Sequence, residues 1–372
     1  MSFKKDLPLT SSHWGTYRAK VKDGKVKELI GWENDKDPSP IGQGIVDVHN
    51  HQTRIDSPMI RKSWMDKGPG SNNSLRGTDP FISISWDEAE KIVSNELNRV
   101  KNDFGNASIF GGSYGWASAG RFHHAQSQLH RFLNCIGGYT RSKFTYSFAA
   151  AEAMVPHILG SYRAYLDTCT SWDSIEENTE LFICFGGVPL KNGQIAQGGT
   201  GSHNQKEKLI RSANAGIKFI NFSPLKSDLL DEVNGEWLAL RPNTDVAIML
   251  GLAYTLYKEK LYDDKFIEKY TEGFDTFLPY LKGDIDGIAK DANWASSISE
   301  IPSEKITSLA KEMSSKRTMI SVSWSLTRQD HGEQPFWAAI MLASMLGQIG
   351  LPGGGFGFGY SATNHIGGQF SI

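Results

Sequence analysis

Residues 181–187, Leu-Phe-Ile-Cys-Phe-Gly-Gly, place five apolar side chains directly before two glycines. A short apolar run that ends in a glycine turn is typical of a buried strand in a parallel sheet. The same pattern predicts further strands at 108–110, 217–221, 237–240 and 318–322, each followed by a glycine, serine or proline turn. Apolar residues at helical spacing follow several of these turns. Strands that alternate with helices predict an α/β architecture with largely parallel sheets.

The N-terminal part has a different pattern. Apolar and polar residues alternate over 17–29 around Asp23-Gly24, a dipeptide that favours a tight hairpin turn. Further on, Ser85 and Glu88 form a capping box that begins a helix ending at Gly105. We therefore expect four segments, which are a β-rich unit over 1–57, the first part of an α/β domain over 58–165, a Rossmann-like α/β domain over 166–345, and a return to the preceding domain over 346–372.

Composition narrows the class of protein. A hydrophobic content of 39% with 22% charged residues is ordinary for a globular protein, and a net charge of −2 gives no basic field for nucleic acid. No apolar run reaches the roughly 20 residues that a membrane-spanning helix needs. Residues 1–12 carry no export signal, so a cytoplasmic location is expected, or a periplasmic one if a signal has been removed.

The three cysteines, Cys135, Cys169 and Cys184, lie far apart in the sequence and form no C-x-x-C pair. Such spacing does not favour a zinc site or an iron–sulfur cluster, and we expect all three to be core residues. The chain ends in a glycine-rich run, 352–360, followed by polar residues. We expect this run to be a functional loop in which the chain has been cut.

Parallel sheets bind ligands at the carboxyl ends of their strands, where the glycine, serine and proline turns fall. Helix N-termini beside such turns offer free backbone N–H groups and a positive dipole end, which suit phosphate or pyrophosphate. Several turns of this kind predict a large phosphate-bearing cofactor. None of them matches G-x-G-x-x-G or the Walker A motif, so nicotinamide or ATP binding is not supported.

Two short motifs carry alternative interpretations. Residues 111–116, Gly-Gly-Ser-Tyr-Gly-Trp, are either a tight turn with two packed aromatic rings or a site where a bulky ligand approaches the backbone. Residues 47–51, Asp-Val-His-Asn-His, match the D-x-H-x-H pattern of amidohydrolases if His49 and His51 project from one side of a strand. A hydrolase would need more histidines at later strand ends, and His157 and His203 have no such context.

Several segments together closely resemble the dimethyl sulfoxide reductase family, whose members bind bis(molybdopterin guanine dinucleotide). The branch is that of dimethyl sulfoxide, biotin sulfoxide and trimethylamine N-oxide reductases. The segments occur in family order and span nearly the whole chain. They are SYGW at 113–116, YS at 146–147, MVPH at 154–157, PNTDV at 242–246, WSLTR at 324–328, HGEQ at 331–334 and LGQIGLPGGG at 346–355.

This resemblance implies that Ser147 is the protein ligand of molybdenum through its side-chain oxygen. A highly charged metal stabilises the alkoxide that a free serine does not form near neutral pH. The resemblance also implies that Trp116 donates a hydrogen bond to the metal oxo group and that Tyr114 offers its hydroxyl to the substrate oxygen. Fixed donors of this kind stabilise charge that develops during a reaction. Without the resemblance, Ser147 would be interpreted as an ordinary turn residue.

The resemblance also implies a set of cofactor-binding residues. Asp245 can accept paired hydrogen bonds from a guanine, or it can be a charge at a helix N-terminus. Arg328 suits a pyrophosphate or pterin edge, or it forms a surface ion pair. The full set is Tyr114, Gly115, Trp116, Ala117, Ser118, Lys191, Asn192, Ser223, Pro224, Asn243, Thr244, Asp245, Trp324, Ser325 and Arg328.

The activity that the resemblance implies is molybdenum-dependent, two-electron transfer of an oxygen atom from an S-oxide or N-oxide, as used in anaerobic respiration. Expected substrates are biotin sulfoxide, dimethyl sulfoxide, methionine sulfoxide or trimethylamine N-oxide. Because no cluster-binding cysteines are present, we expect an external electron donor, either a cytochrome or a reductase protein. Two alternatives stay open at this point, which are a non-catalytic fragment that binds a pterin nucleotide and a metal-dependent amidohydrolase that uses His49 and His51.

Overall fold

The computed structural model describes residues 6–49, 51–113, 115–116, 118 and 124–368. Contacts divide the chain into two compact units. The first consists of Met1–Thr10, Tyr17–Ile30 and Pro40–Lys143, and the second of Ser11–Thr16, Gly31–Ser39 and Phe144–Ile372.

The chain begins with a small three-stranded sheet in the order β1-β2-β3. Its strands are Leu9–Ser12, Gly15–Lys22 and Lys25–Gly31. Asp23 and Gly24, with φ of 53° and 72°, form the turn between β2 and β3. The positive φ at both positions is what a two-residue hairpin turn requires, which confirms the predicted hairpin.

The remaining elements of the first unit are short, apart from one long helix. Its helices are α1 (Ile41–Val48), α2 (Lys62–Lys67), α3 (Trp86–Phe104) and α4 (Ala125–Cys135), and its strands are β4 (Met59–Arg61), β5 (Phe81–Ser83), β6 (Phe110–Gly111) and β7 (Thr140–Arg141). The Ser85 hydroxyl accepts a hydrogen bond from the Glu88 N–H at 3.2 Å, so α3 begins at the predicted cap.

The strand predicted at 108–110 is wrong over most of its length. Residues Asn106–Ser108 form a 3₁₀ turn, and β6 pairs in parallel with a β7 of two residues. The Asn106 amide donates to the carbonyl oxygens of Ile136 and Gly138 at 3.2 and 2.8 Å. These side-chain bonds stabilise the 3₁₀ turn. The backbone ladder begins only at Ile109, whose carbonyl oxygen accepts the Thr140 N–H at 2.8 Å.

The second unit contains a five-stranded sheet in the order β10-β9-β8-β11-β12, and every neighbouring pair is parallel. The strands are β8 (Leu181–Phe185), β9 (Lys218–Phe222), β10 (Glu236–Leu238), β11 (Thr318–Val322) and β12 (Gly355–Phe358). The predicted strands at 181–185 and 318–322 coincide with β8 and β11. The α/β class with a parallel sheet is therefore confirmed.

Helices connect these strands and bury both faces of the sheet. They are α5 (Ala149–Met154), α6 (Pro156–Leu159), α7 (Tyr162–Asp167), α8 (Trp172–Asn178), α9 (Gln205–Asn214), α10 (Asp245–Lys258), α11 (Asp264–Tyr270), α12 (Phe274–Lys282), α13 (Ala292–Ser299), α14 (Ser303–Ser315) and α15 (Gln334–Met345). Phe182 contacts Trp172 on one face, and Phe358 contacts Phe336 on the other. Strands that are covered on both faces explain the unbroken apolar runs in the sequence.

The glycine-rich run that was expected to be a loop contains β12, the edge strand beside β11. Phe356 and Phe358 alternate with glycines and face the same side of the sheet. The ring of Tyr360 lies where a side chain at Gly357 would have to go. A glycine is therefore needed at that position for packing.

A buried pair, Asp35 and His203, holds a loop of the second unit. The Asp35 carboxylate lies 2.8 Å from the His203 Nδ1 and accepts the His203 backbone N–H at 2.8 Å. The His203 Nε2 lies 2.9 Å from the carbonyl oxygen of Gln194. Both ring nitrogens of His203 therefore have an oxygen partner. The segment between Gln194 and His203 is thereby fixed.

Among the described residues, no helix is both long and apolar enough to cross a membrane.

Candidate functional site

The turns that follow four strands of the second unit meet at the carboxyl edge of its sheet. Three backbone N–H groups just beyond the strands donate to carbonyl oxygens of neighbouring strands. Gly186 donates to the carbonyl of Phe222 at 2.8 Å, Ser323 to that of Phe185 at 2.8 Å, and Gly359 to that of Val322 at 2.9 Å. These bonds continue the ladder one residue beyond β8, β11 and β12. The predicted convergence of these turns at one edge is therefore what the structure shows.

The turn after β8 is tightly built around Asp228. Gly187 has a φ of +75°, and a Cβ there would lie 2.5 Å from the carbonyl oxygen of Asp228. The Asp228 carboxylate accepts a hydrogen bond from the Ser223 hydroxyl at 2.7 Å and pairs with the Lys191 ammonium at 3.0 Å. The two predicted cofactor contacts Ser223 and Lys191 are thus brought together by one acid. Sequence analysis missed Asp228, because no spacing rule links it to Lys191.

Two further residues of the predicted set, Asn192 and Pro224, are exposed in the turns after β8 and β9. The Lys191 side chain is 60% exposed despite its ion pair. These turns therefore present polar groups and an ammonium to solvent at the carboxyl edge, where a phosphate-bearing ligand of a parallel sheet would bind.

Ser147 lies close to the turn that follows β11. Its carbonyl oxygen accepts a hydrogen bond from the Thr327 hydroxyl at 3.1 Å, and its N–H donates to the Thr145 hydroxyl at 3.2 Å. The ring of Phe148 packs on Trp324, with 4.2 Å between the ring centroids. Backbone anchoring and ring packing together hold the half-buried Ser147 beside the residues 324–327.

The turn after β11 carries three predicted residues. The Ser323 hydroxyl accepts from the Ser325 backbone N–H at 3.3 Å and lies 3.0 Å from the Ser325 hydroxyl, which fixes the 3₁₀ turn Trp324–Thr327. The Trp324 indole packs so closely on Gly359 that no side chain fits there. Arg328 is exposed and forms no ion pair with a described residue, which argues against its interpretation as a surface ion pair.

The segment after β10 begins helix α10 and contains Asn243, Thr244 and Asp245. Asn243 is exposed with a φ of +67°, and the Thr244 hydroxyl donates to the Arg241 carbonyl at 2.6 Å. Asp245 is 3% exposed, and its Oδ1 has no hydrogen-bond partner among the described residues. Burial raises the pKa of Asp245 to about 7, although its own backbone N–H opposes this shift. A buried carboxyl oxygen without a partner indicates a missing donor.

Five predicted residues, 114–118, belong to the first unit, and three of them are described. Gly115 is buried, and its carbonyl accepts the Ser118 N–H at 3.1 Å, while Trp116 is half-buried. The Gln126 amide donates to the Ser113 carbonyl at 2.9 Å and so fixes the start of this segment. Tyr114 and Ala117 lie outside the described residues, so their predicted roles stay predictions.

The amidohydrolase alternative is wrong in its structural premise. Residues Ile41–Val48 form helix α1, and His49 follows its end, so the two histidines do not project from a strand. The Nδ1 of His49 lies 3.1 Å from Arg54, and that of His51 lies 2.8 Å from Thr53. Within the described ranges, no group of three or more His, Cys, Asp or Glu residues could hold a metal ion.

The cysteines differ from the expectation in one case. Cys184 is buried and Cys169 is half-buried, whereas Cys135 is exposed at the end of α4. None of the three takes part in a disulfide. The prediction of a core position is therefore wrong for Cys135, because the last turn of α4 leaves that side uncovered.

Comparison with protein families gives two adjoining matches. Residues 54–369 match the profile of the molybdopterin oxidoreductase family, and residues 10–48 match that of the molybdopterin oxidoreductase N-terminal domain. Among solved structures, the chain is similar to the acetylene hydratase of Pelobacter acetylenicus. The TM-score is 0.58 at 20% sequence identity, over 92% of this chain and 44% of that one.

Several curated proteins are similar over nearly the whole chain. The dimethyl sulfoxide/trimethylamine N-oxide reductase of Rhodobacter capsulatus is 42% identical over 95% of this chain and 42% of its own length. The biotin sulfoxide reductase of Cereibacter sphaeroides is 43% identical over 91% and 46%. The trimethylamine-N-oxide reductase of Haemophilus influenzae is 39% identical over 96% and 43%. The chain spans less than half the length of these relatives.

Proposed function

The chain belongs to the molybdopterin oxidoreductase family, and from that premise we propose that it forms the cofactor-binding part of a molybdenum-dependent S-oxide or N-oxide reductase. The cofactor would be molybdenum bis(molybdopterin guanine dinucleotide). The similarity to dimethyl sulfoxide, biotin sulfoxide and trimethylamine N-oxide reductases supports this reaction class. The choice among these substrates is part of the proposal.

The observation that carries the cofactor proposal is the buried carboxyl group of Asp245. A guanine presents an N1–H and an exocyclic amino group side by side, and a carboxylate accepts both. The unpartnered Oδ1 lies at the start of α10, at the carboxyl edge of the sheet. Asn243 and Thr244 precede it in the same segment. A guanosine end would therefore satisfy a polar atom that the described protein leaves without a donor.

The other end of the cofactor would lie against the turns after β8, β9 and β11. Lys191 and Arg328 are exposed cations that would pair with phosphate oxygens, and Asn192 would add an amide. Ser223 and Pro224 would border the same edge. Trp324 and Ser325 would pack against the pterin, because their turn follows β11 and lies beside Ser147.

Within this proposal, Ser147 would supply a side-chain oxygen as a ligand of molybdenum. The bound metal supplies two-electron chemistry, and the protein supplies orientation and fixed dipoles. Tyr114 and Trp116 would donate hydrogen bonds toward the oxygen that the substrate loses, with Gly115, Ala117 and Ser118 shaping the segment. The balance of the reaction is one oxide, two electrons and two protons giving one sulfide or amine and one water.

The electron donor in this proposal is a separate protein, either a cytochrome or a reductase. The described residues contain no metal-binding cluster of cysteines, histidines and acids, so no second redox centre suggests itself there. The proposal of a separate donor does not depend on the proposal that Ser147 binds the metal. In an assay, a chemical donor such as reduced viologen would replace the donor protein.

The test is to produce the protein with molybdate and measure bound molybdenum together with viologen-linked reduction of dimethyl sulfoxide, methionine sulfoxide and trimethylamine N-oxide. Ser147→Ala should abolish turnover while leaving the far-ultraviolet circular dichroism spectrum unchanged. Ser308→Ala, on the exposed side of α14, is the matched control and should keep full activity. Bound molybdenum without reduction of any of the three oxides would contradict the reductase and favour a fragment that only binds the pterin nucleotide.

A further inference from the structure

A small polar cluster lies on one face of α5, immediately after Ser147. The Glu152 backbone N–H donates to the carbonyl oxygen of Phe148, the N-cap residue of α5, at 3.2 Å, so Glu152 lies in the first turn of this helix. The Phe148 ring packs on Trp324 and on Tyr162, with centroid distances of 4.2 and 5.6 Å. Helix α5 also packs against α7 and the 324–327 turn. The charge of Glu152 acts on the Tyr162 phenol, so the carboxyl lies near that residue of α7.

Three polar atoms of this cluster are buried without a hydrogen-bond partner of ordinary geometry among the described residues. They are the Glu152 Oε2, the Tyr162 hydroxyl and the Trp324 indole nitrogen. Trp324 is close enough to Tyr162 to lower the pKa of the phenol, yet neither atom completes a bond. A carboxyl group, a phenol and an indole N–H around one spot are enough donors and acceptors for an ordered water molecule.

Burial, and not the surrounding charge, favours the neutral form of Glu152. Burial raises the pKa of Glu152, and the positive charge of Arg163 on α7 opposes this only in part. Burial and then the charge of Glu152 raise the pKa of Tyr162, so the phenol keeps its proton. The other titratable groups on the packed elements are Tyr165 and Asp167 on α7 and His157 on α6. Asp167 and His157 are exposed, Tyr165 is half-buried, and residues 324–327 carry no ionisable side chain. A carboxyl group here holds a proton to higher pH than an exposed glutamate does.

We propose that Glu152 delivers one of the two protons that leave with the substrate oxygen as water, through a water molecule held by Tyr162 and Trp324. This inference rests on the reductase function proposed above. The O–H bond of the carboxylic acid breaks, its proton passes along the bound water to the departing oxygen, and Glu152 remains as a carboxylate. It regains a proton from solvent, while both electrons come from the external donor. Glu152 thus acts through water and not by contact with the substrate.

The first experiment compares Glu152→Gln with Glu177→Gln, an exposed glutamate of α8 in the same unit. Both replacements remove one ionisable carboxyl and keep its shape. In the molybdenum-loaded protein, Glu152→Gln should lower kcat by about 100-fold or more and remove the fall of kcat on the alkaline side of the pH profile. Tyr162→Phe should lower kcat about 10-fold without a change of fold, because it removes one of the groups that hold the water. Glu177→Gln should match the wild type.

The second experiment needs no turnover. Because burial also keeps Asp245 protonated up to a pKa of about 7, the infrared titration of the unreacted protein is recorded with Asp245→Asn as the background. It should show the band of a neutral carboxylic acid that persists above the pKa of about 4.3 of a free glutamate. Glu152→Gln should lose this band, and Glu177→Gln should keep it. A missing band, or a uniform drop in kcat with an unchanged alkaline limb, overturns the proposal. If the wild type reduces none of the oxides while the band is present, the reductase function and with it proton delivery fail, but the buried acid stands.

Discussion

At the scale of single residues, the protonation state of Asp245 should control the binding of a guanosine nucleotide. Its folded pKa is about 7 because burial disfavours the charged carboxylate. A guanine binds the ionised form, so the affinity for a guanosine nucleotide should rise as the pH increases through about 7. Titration calorimetry with guanosine diphosphate at a series of pH values measures this. Asp245→Asn should bind weakly with no such rise, and an unchanged affinity in that variant would refute the assignment.

The same residue makes a prediction about stability without ligand. A raised folded pKa means that the folded state binds its proton more tightly than the unfolded state does. The contribution of Asp245 to stability is therefore fully present below the unfolded value of 3.8 and is lost as the pH rises through about 7. Asp245→Asn should have little effect near pH 4 and should stabilise the protein by a few kcal/mol at pH 8, as measured by urea unfolding.

The residue scale also shows what sequence could identify. Ser147, Asp245 and Trp324 were predicted as site residues because their neighbours resemble family segments, and these roles stay predictions. Asp228 and Glu152 were missed, because their roles depend on which distant side chains they meet. Asp228 acquires its role from Lys191 and Ser223, and no local spacing encodes that contact.

At the scale of elements, the turn after β8 contains Gly186 and Gly187, and substitution tests how far Gly187 tolerates a side chain. A Cβ at Gly187 would meet the carbonyl of Asp228 at 2.5 Å, whereas a Cβ at Gly216, which also has a positive φ, would meet nothing within 4 Å. Gly216→Ala should cost about 1 kcal/mol from backbone conformation alone. Gly187→Ala should cost a further ~1–3 kcal/mol from the clash and should displace Asp228.

Chemical denaturation of the two glycine variants gives these differences. Cofactor content should also fall in Gly187→Ala alone, since the displaced Asp228 would release Lys191 and Ser223. Equal losses of stability in the two variants would mean that the turn relaxes freely and that its close packing has no consequence for the site.

The sequence predicted some elements better than others. Elements encoded by their own residues were predicted well, whereas elements that depend on contacts with distant residues were not. Strands β8 and β11 were predicted at their observed bounds, since both are central and covered on both faces. Strand β12 was missed because its glycines have low strand propensity, and only pairing with β11 makes it a strand. The D-x-H-x-H segment was misinterpreted because Val46 and Val48 fit a strand as well as the helix that forms.

At the scale of the whole molecule, apolar burial is unevenly distributed. The main cluster of buried hydrophobic side chains runs from Ala151 to Ile366, in the second unit. Within the described part of the chain, no residue of α3 is buried, although its apolar residues follow helical spacing. The second unit therefore has the larger share of the stabilising contacts. The predicted domain boundaries at 57, 165 and 345 stay predictions.

This distribution predicts where proteases cut first. Segments with few buried apolar contacts open locally at low free energy, so trypsin should cleave within 40–143 well before it cleaves between β8 and β12.

Phe182→Ala, in a strand with 0% exposure, should cost about 3–5 kcal/mol and remove this protection, because it opens a cavity beneath Trp172. Trp86→Ala, which replaces a side chain that is 69% exposed on α3, should leave the protected fragment intact. Mass spectrometry of timed digests identifies the fragments. If residues 181–258 were cut as fast as residues 86–135, the buried cluster would not be the stable part of the molecule, and the carboxyl edge that it supports could not hold a cofactor rigidly.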